Sequence, residues 1–203
     1  MDAVKTLNYS VFVRNIEEQM SVYAAYHQDA RNKATHFIGV PAIILSLFIP
    51  LAWIRFEVGG VTLTGAMLFA GAVVLYYFFL DVPLALAMLV VTGILVWAGQ
   101  QIAELGTLQG WIWFALLFVG GWILQLVGHV FEGRKPALAD NLFQIFVAPI
   151  FLAAEVFFAL GYKPALHRRV NERAQLSRAQ SAESSISLER TSSRSGASGS
   201  RSA

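Results

Sequence analysis

Long apolar runs separated by short polar breaks occupy the middle of the chain. The uncharged runs cover residues 37–54, 58–80, 82–103 and 108–131. Each is close to the roughly 20 residues that a helix needs to cross a bilayer. Only Asp81 separates the second run from the third, and one continuous helix would be longer than a membrane is thick, so the chain must turn there. The pattern predicts four membrane-spanning helices and shows no strand-like alternation.

Segments of different character flank these runs. Residues 141–162 are apolar but contain Asn141, Gln144, Pro149 and Glu155, which predicts a fifth helix that is kinked or re-entrant. A carboxylate at membrane depth is costly, so Glu155 should face the bundle and have a partner.

Near the N-terminus, apolar residues recur at helical spacing, including Ile16, Met20 and Tyr23. This predicts an amphipathic helix against the membrane or the bundle, with an ordinary surface helix as the alternative. We expect a membrane helical domain over residues 1–173. Residues 174–203 are rich in Ser, Arg, Gly and Ala, which predicts a disordered tail.

Composition supports an all-α polytopic membrane bundle. Charged residues make up 14% of the 203 residues, against roughly 25% in soluble domains. No cysteine is present, which excludes disulfides, thiolate metal sites and cysteine nucleophiles. We expect the lipid bilayer as the partner and no nucleic acid. Basic residues before the first run and at Arg134 and Lys135 place both ends of the four-helix set in the cytoplasm.

This topology brings distant histidines to one side. His36 begins the first run and His129 ends the fourth, so both lie at the cytoplasmic boundary with His27 and Glu132. Gln125, His129 and Glu132 share one helix face at spacings of four and three residues.

Binding of one metal ion by both His27 and His36 requires a particular backbone conformation between them. His27 and His36 are nine residues apart, which is about half a turn of rotation on a straight helix. Both can bind one metal only if the helix breaks between them, and Asp29 is a suitable turn residue. Imidazole suits iron and zinc, and a carboxylate could add to it. The alternative is that these histidines are only interfacial polar groups, the default that we assign to His167.

Several well-known sequence signatures are absent. The chain has no HxxxH or HxxHH box, no HExxH motif, no GxSxG motif and no phosphate-binding loop. The histidine boxes of membrane desaturases and hydroxylases are therefore excluded.

Two separated polar motifs resemble the Mpo1-like membrane proteins over about residues 18–166. The matching residues are Tyr26-His27, Asn32, His36-Phe37-Ile38-Gly39-Val40-Pro41, Gln125-x-x-Gly128-His129-x-x-Glu132-Gly133-x-x-Pro136-Ala137-Leu138, Asn141-Leu142, Pro149 and Gly161-Tyr162-x-Pro164. The resemblance implies an iron(II)-dependent dioxygenase of the endoplasmic reticulum membrane. Such an enzyme uses O₂ to α-oxidise 2-hydroxy fatty acids, formed in phytosphingosine breakdown, to acids one carbon shorter. It maps the essential histidines onto His27, His36 and His129.

Further roles are expected around this site. Glu132 is a possible fourth metal ligand. Asn32, Gln125 and Glu155 could orient the imidazoles, and Arg31, Lys33, Arg134 or Lys135 could attract the substrate carboxylate. The acyl tail would lie between spans. Two other functions stay open: a non-enzymatic lipid-binding or scaffold protein, and a zinc-dependent lipid hydrolase. We expect the endoplasmic reticulum in a eukaryote and the inner membrane in a bacterium.

Overall fold

The structure, a computed structural model, describes residues 16–133 and 144–198. In this part of the chain it contains seven helices and one β-hairpin. The helices are α1 (Ile16–Ala25), α2 (Ala30–Ala52), α3 (Gly65–Leu80), α4 (Val82–Glu104), α5 (Thr107–Glu132), α6 (Gln144–Ala159) and α7 (Pro164–Ser198). The hairpin strands are β1 (Arg55–Val58) and β2 (Val61–Thr64). The all-α prediction is confirmed.

Helices α2, α4 and α5 are long and apolar enough to cross a membrane, with 23, 23 and 26 residues. The protein is therefore an integral membrane protein. Helices α3 and α6 are apolar but have only 16 residues each. At 1.5 Å per residue they extend about 24 Å, less than the roughly 30 Å hydrocarbon core. Helix α6 continues through Pro149 without a break.

The predicted second span, residues 58–80, starts too early. Its first residues belong to the hairpin, in which Arg55 pairs with Thr64 and Val58 pairs with Val61. The loop between the strands is Gly59-Gly60, with φ values of 59° and 81°. Two positive φ values in succession suit the tight two-residue turn that joins twisted antiparallel strands. This short hairpin is a local addition to the all-α fold, and the prediction from sequence, which found no strand-like alternation, did not include it.

The turn expected at Asp81 is present. Asp81 ends α3 and caps α4, because its Oδ1 accepts a hydrogen bond from Leu84 N at 3.1 Å. Its carboxylate also pairs with Lys163, just before α7. This contact fixes the start of α7 at the same end of the bundle as the turn.

Helix α7 continues to Ser198, although the sequence predicts a disordered tail from residue 174. Leu166, Val170 and Ala174 are spaced by four residues and form a buried stripe. The same helix supplies Arg169 and Arg173, which pair with Glu17 of α1 at 2.7 and 2.9 Å. The N-terminal amphipathic helix is thus packed between the bundle and α7, with most of its residues buried.

Helices α2 and α5 pack closely where glycines face each other. A Cβ on Gly39 would lie 3.0 Å from Gly121 O, and a Cβ on Gly121 would lie 3.0 Å from Gly39 O. Small residues let transmembrane helices approach to this distance. Because α2 and α5 are antiparallel, the first residues of α2 lie beside the last residues of α5, where the candidate site is found.

Candidate metal centre

Three histidines from different parts of the chain meet at this end of the bundle. His27 lies in the turn between α1 and α2, His36 in the second turn of α2, and His129 in the last turn of α5. All three are buried, with exposures of 2%, 3% and 7%. The break that a shared site requires is present, because α1 ends at Ala25 and Asp29 caps α2 by accepting a hydrogen bond from Arg31 N.

Hydrogen bonds determine which ring nitrogens of two histidines are free. His27 Nδ1 lies 2.8 Å from Tyr23 O, and His36 Nδ1 lies 2.9 Å from Asn32 O. A carbonyl oxygen can only accept, so in both rings Nδ1 carries the proton and donates it. The Nε2 atoms are then unprotonated in the neutral rings, and they lie 3.1 Å apart.

Two lone pairs at this distance repel each other unless a cation lies beside them. Two nitrogens bound to one ion at about 2.1 Å, at a right angle, lie about 3 Å apart. One ligand atom from each of the three histidines lies within 4.8 Å of the other two. His129 Nδ1 is also buried without a hydrogen-bond partner among the described residues. The donor set therefore fits a metal ion held by three imidazoles.

The surroundings keep His27 neutral. Burial, aided by the electrostatic effect of His36, lowers the pKa of His27 to about 2. Its ring also stacks on Tyr23, with ring centroids 3.9 Å apart and planes 4° apart. A neutral, fixed imidazole is the form that binds metals.

Glu132 does not join this cluster. Its Oε2 accepts hydrogen bonds from Gln28 N at 2.9 Å, Asp29 N at 2.8 Å and Asn32 Nδ2 at 3.2 Å. Its Oε1 accepts from Arg178 at 2.6 Å. Both oxygens are thus engaged with the turn that carries His27 and with α7. Glu132 holds the polypeptide around the site, and this geometry does not support its expected role as a fourth ligand.

Asn32 is fully buried and connects the site to the same turn. Its Nδ2 donates to Tyr26 O at 3.2 Å as well as to Glu132, and its backbone oxygen accepts from His36. Gly128 leaves the space for it, because a Cβ there would lie 2.4 Å from Asn32 Oδ1 and 2.3 Å from Thr35 Oγ1. His36 contacts the backbone oxygen of Asn32 and not its side chain, so the expectation that Asn32 orients an imidazole stays a prediction.

A cavity of about 200 Å³ opens next to the three histidines. Apart from the histidines, nearly all of its lining is apolar. It is bounded by α2, α3, α4, α5 and α6, with Val40, Ile43, Phe48, Ala70, Met88 and Trp122 among its lining residues. An apolar slot with its polar groups at one end is suited to an amphiphile with one polar head.

The remaining expected residues lie around the site without touching the imidazoles. Glu155 has the partner that its depth requires, since it pairs with Lys33 at 2.9 Å. Arg31 pairs with Asp29 at 2.8 Å and lies over the Phe131 ring. Gln125 lines the cavity and makes no hydrogen bond to a histidine.

Two expectations concern residues away from the centre. Arg134 and Lys135 lie outside the described residues, so their roles stay predictions. His167 stacks on Phe158, with ring centroids 4.5 Å apart, and is not part of the three-histidine group.

Two contributors were not expected from the sequence. Tyr23 supplies both a carbonyl and a ring to His27, and Arg178 reaches Glu132 from α7. Tyr23 could have been found from its position, four residues before His27 and thus one helical turn away. Arg178 has no local signal, because its partner is 46 residues away.

Comparison with known proteins identifies the family of the chain. A family model described as "2-hydroxy-palmitic acid dioxygenase Mpo1-like" matches residues 13–160. The chain belongs to the Mpo1-like family. A Saccharomyces cerevisiae Mpo1-like protein, 2-hydroxy-palmitic acid dioxygenase MPO1, is 32% identical over 160 residues, which are 75% of this chain and 85% of the yeast protein. No solved structure matches the chain.

The Mpo1-like match includes the whole candidate centre. His27, His36, His129, Glu132 and Gln125 all lie within residues 13–160. The whole of α7, including Arg178, lies beyond the Mpo1-like match. The contact between Arg178 and Glu132 thus joins the matched region to a segment outside it.

Proposed function

We propose that the protein is an iron(II)-dependent dioxygenase that α-oxidises 2-hydroxy fatty acids to fatty acids one carbon shorter. The observation that carries this proposal is the position of three buried histidines at one end of an apolar cavity. The yeast relative is named a 2-hydroxy-palmitic acid dioxygenase, which supports the reaction and the substrate class. We place this activity in the breakdown of phytosphingosine.

His27, His36 and His129 would hold the iron. When bound, iron(II) supplies the activation of dioxygen that oxidative carbon–carbon cleavage requires. In the reaction the bond between C1 and C2 breaks and C2 becomes the carboxyl carbon of the shorter acid. C1 leaves as carbon dioxide, and O₂ accepts four electrons. One of its oxygen atoms enters the new carboxyl group, whose other oxygen is that of the former 2-hydroxyl, and the second becomes water. One hydroxy acid and one O₂ thus balance one shorter acid, one carbon dioxide and one water.

The protein's own contribution is to orient both ends of the substrate. The Nδ1–H donors to Tyr23 O and Asn32 O fix the two rings with Nε2 directed to the common centre. The cavity follows α2 from His36 past Val40 to Phe48. These twelve residues of helix correspond to about 18 Å, enough for a long acyl chain.

Cations at the same end could attract the carboxylate head. Lys33 is half-buried and paired with Glu155, whereas the Arg31 side chain is 65% exposed. An exposed guanidinium is suited to the first encounter with an anionic head. We place this end in the cytoplasm, in the endoplasmic reticulum membrane of a eukaryote or the inner membrane of a bacterium, because the flanking segments are basic.

The test is anaerobic incubation of the purified full chain with iron(II) and 2-hydroxypalmitate, followed by ¹⁸O-labelled dioxygen. We expect label in the carboxyl group of a fatty acid one carbon shorter, and stoichiometric iron in the protein. His36→Ala should lose both, while His167→Ala should keep both. Turnover without oxygen would favour the zinc-dependent hydrolase. Protein without iron, and unaffected by His36→Ala, would favour the lipid-binding or scaffold protein.

A further inference from the structure

Gln125 is a buried polar side chain whose amide nitrogen is unpaired within the described part of the chain. It is 7% exposed, and its Nε2 has no partner among residues 16–133 and 144–198. Burying an amide without a partner costs free energy, so most buried side-chain amides have one. An apolar residue of similar shape would avoid this cost. An amide at this position therefore needs another reason.

The position of Gln125 indicates what that reason is. It lines the cavity together with His27, His36 and His129. It precedes His129 by four residues, so it lies one helical turn deeper on the same face of α5. A Cβ on Gly39 of the facing helix would lie only 2.5 Å from Nε2. The space between the two helices is thus filled by the amide, at the position where the cavity extends beyond the histidines.

The amide of Gln125 can be fully paired only by a ligand that has both donor and acceptor groups. A carboxamide offers two N–H donors and one carbonyl acceptor. The rest of the nearby lining is aliphatic or aromatic, apart from the imidazoles. A 2-hydroxy acid carries a hydroxyl that donates and accepts, next to a carboxylate that only accepts. A fatty acid without the hydroxyl would leave part of the amide unpaired.

We propose that Gln125 binds the 2-hydroxy acid head through its carboxamide and selects for substrates that carry the 2-hydroxyl group. The inference rests on the proposed function and names the residue that determines its substrate class. A site built to hydrogen-bond a substrate hydroxyl discriminates strongly against analogues that lack it, because its own polar group is then left unpaired.

The test compares Gln125→Met with the wild-type full chain in detergent. Binding of 2-hydroxypalmitate and of palmitate is measured from the ligand-induced shift of the thermal midpoint, without added iron. We expect the preference of the wild type for 2-hydroxypalmitate to fall by about tenfold in the variant, which corresponds to the loss of one hydrogen bond. The variant's iron content and its midpoint without ligand should be unchanged or higher, since an unpaired amide has been removed.

Three controls separate the alternatives. Gln101→Met changes an exposed glutamine of α4 and should alter nothing. Leu47→Ala enlarges the cavity and should weaken both ligands equally. Gln125→Asn keeps the amide but shortens the side chain by one methylene, so it should also lose the preference for 2-hydroxypalmitate. It replaces Gln125→Met as the test variant if Gln125→Met does not fold.

The outcomes distinguish this inference from the proposed function. A variant that keeps both iron and the wild-type preference would overturn the role of Gln125 while leaving the dioxygenase intact. If Gln125→Met and Gln125→Asn both lose iron and both have a lower thermal midpoint, Gln125 has a structural role. That result would also overturn the proposed selection for the 2-hydroxyl group. A wild type without iron, turnover or ligand preference would refute the proposed function, and the inference with it.

Discussion

Arg178 of α7 donates a 2.6 Å hydrogen bond to Glu132 at the end of α5. The Glu132 side chain is 2% exposed and that of Arg178 is 32% exposed, so the pair lies at the edge of the buried interior. The same carboxylate binds two backbone N–H groups of the turn that carries His27. The C-terminal helix is therefore connected to a candidate metal ligand through one side chain.

Loss of Arg178 should weaken metal retention without removing any ligand. Arg178→Gln leaves Glu132 with a buried charge that is less well compensated, at a cost of about 2 kcal/mol, between the values for exposed and buried pairs. We expect faster loss of iron to a chelator and a lower thermal midpoint. Arg31→Gln is the matched control, because the ion pair of Arg31 is made with the neighbouring Asp29 at the surface and not with Glu132.

Truncation checks the same contact in a second way. A chain ending at residue 183 keeps Arg178 and should retain iron as the full chain does. A chain ending at residue 174 should lose iron like Arg178→Gln. Equal iron retention in both truncated chains would contradict the connection from α7 to the centre.

Substitutions of Glu132 distinguish a structural role, in which it holds the turn that carries His27, from metal ligation. Glu132→Gln keeps a carbonyl oxygen that can accept from Gln28 N and Asp29 N, whereas Glu132→Ala leaves both donors unpaired. We expect Glu132→Ala to destabilise the fold by about 1–2 kcal/mol, because two donors at a partly exposed position lose their partner and a hydrogen bond contributes about 0.5–1.5 kcal/mol net. Glu132→Gln should keep most of the iron. Titration with iron(II) measures this, and a Gln variant as defective as His129→Ala would show that the carboxylate is a ligand.

Much of the candidate centre could be predicted from two properties of the sequence, the length of the apolar runs and the helical period. The apolar runs place the start of α2 and the end of α5 at the same boundary, so His36 and His129 had to be close. The helical period required a break before His36 for His27 to join them, and the chain breaks at residues 26–29. These deductions need only spacing along the chain.

Other features depend on tertiary contacts that spacing does not reveal. Helix α7 has polar composition, yet its buried stripe and its two arginines that pair with Glu17 pack it against α1 up to residue 174. In the segment predicted as a tail, Arg178 pairs with Glu132. The expectation that Glu132 is a fourth ligand rests on the helix face that it shares with His129 and stays a prediction. Spacing does not reveal that its carboxylate accepts two N–H groups of the turn that carries His27. The hairpin did have a local signal, Gly59-Gly60 between two short alternating segments, which the surrounding apolar runs obscured.

The contact between α2 and α5 at Gly128 should tolerate no side chain. In Gly128→Ala the new Cβ would meet Thr35 Oγ1 at 2.3 Å and Asn32 Oδ1 at 2.4 Å. Overpacking of this kind costs about 1–3 kcal/mol, and here it would displace the residue that holds His36. We expect a lower thermal midpoint and weaker iron binding.

Gly120→Ala on the same helix is the control for Gly128→Ala. Its Cβ would meet nothing within 4 Å, so it should be neutral or slightly stabilising. If the two alanine variants bind iron equally well and have equal thermal midpoints, the close approach at Gly128 has no functional consequence.

The length of the cavity should set the preferred length of the acyl chain. Ala70 of α3 is 7% exposed and lines the cavity, while Tyr77 lines it seven residues later on the same helix. Because α3 is antiparallel to α2, Ala70 lies about 10 Å farther from the histidines than Tyr77 does. Ala70→Leu should therefore fill the distal part and shift selectivity, measured as kcat/KM across 2-hydroxy acids of graded length, towards shorter chains by about tenfold. Iron content should not change, since the ligands are untouched. Ala72→Leu, at an exposed position of the same helix, is the control and should leave the chain-length preference unchanged. If Ala72→Leu shifts this preference as far as Ala70→Leu does, the acyl chain does not occupy this cavity. The same conclusion follows if Ala70→Leu lowers kcat/KM equally for all chain lengths.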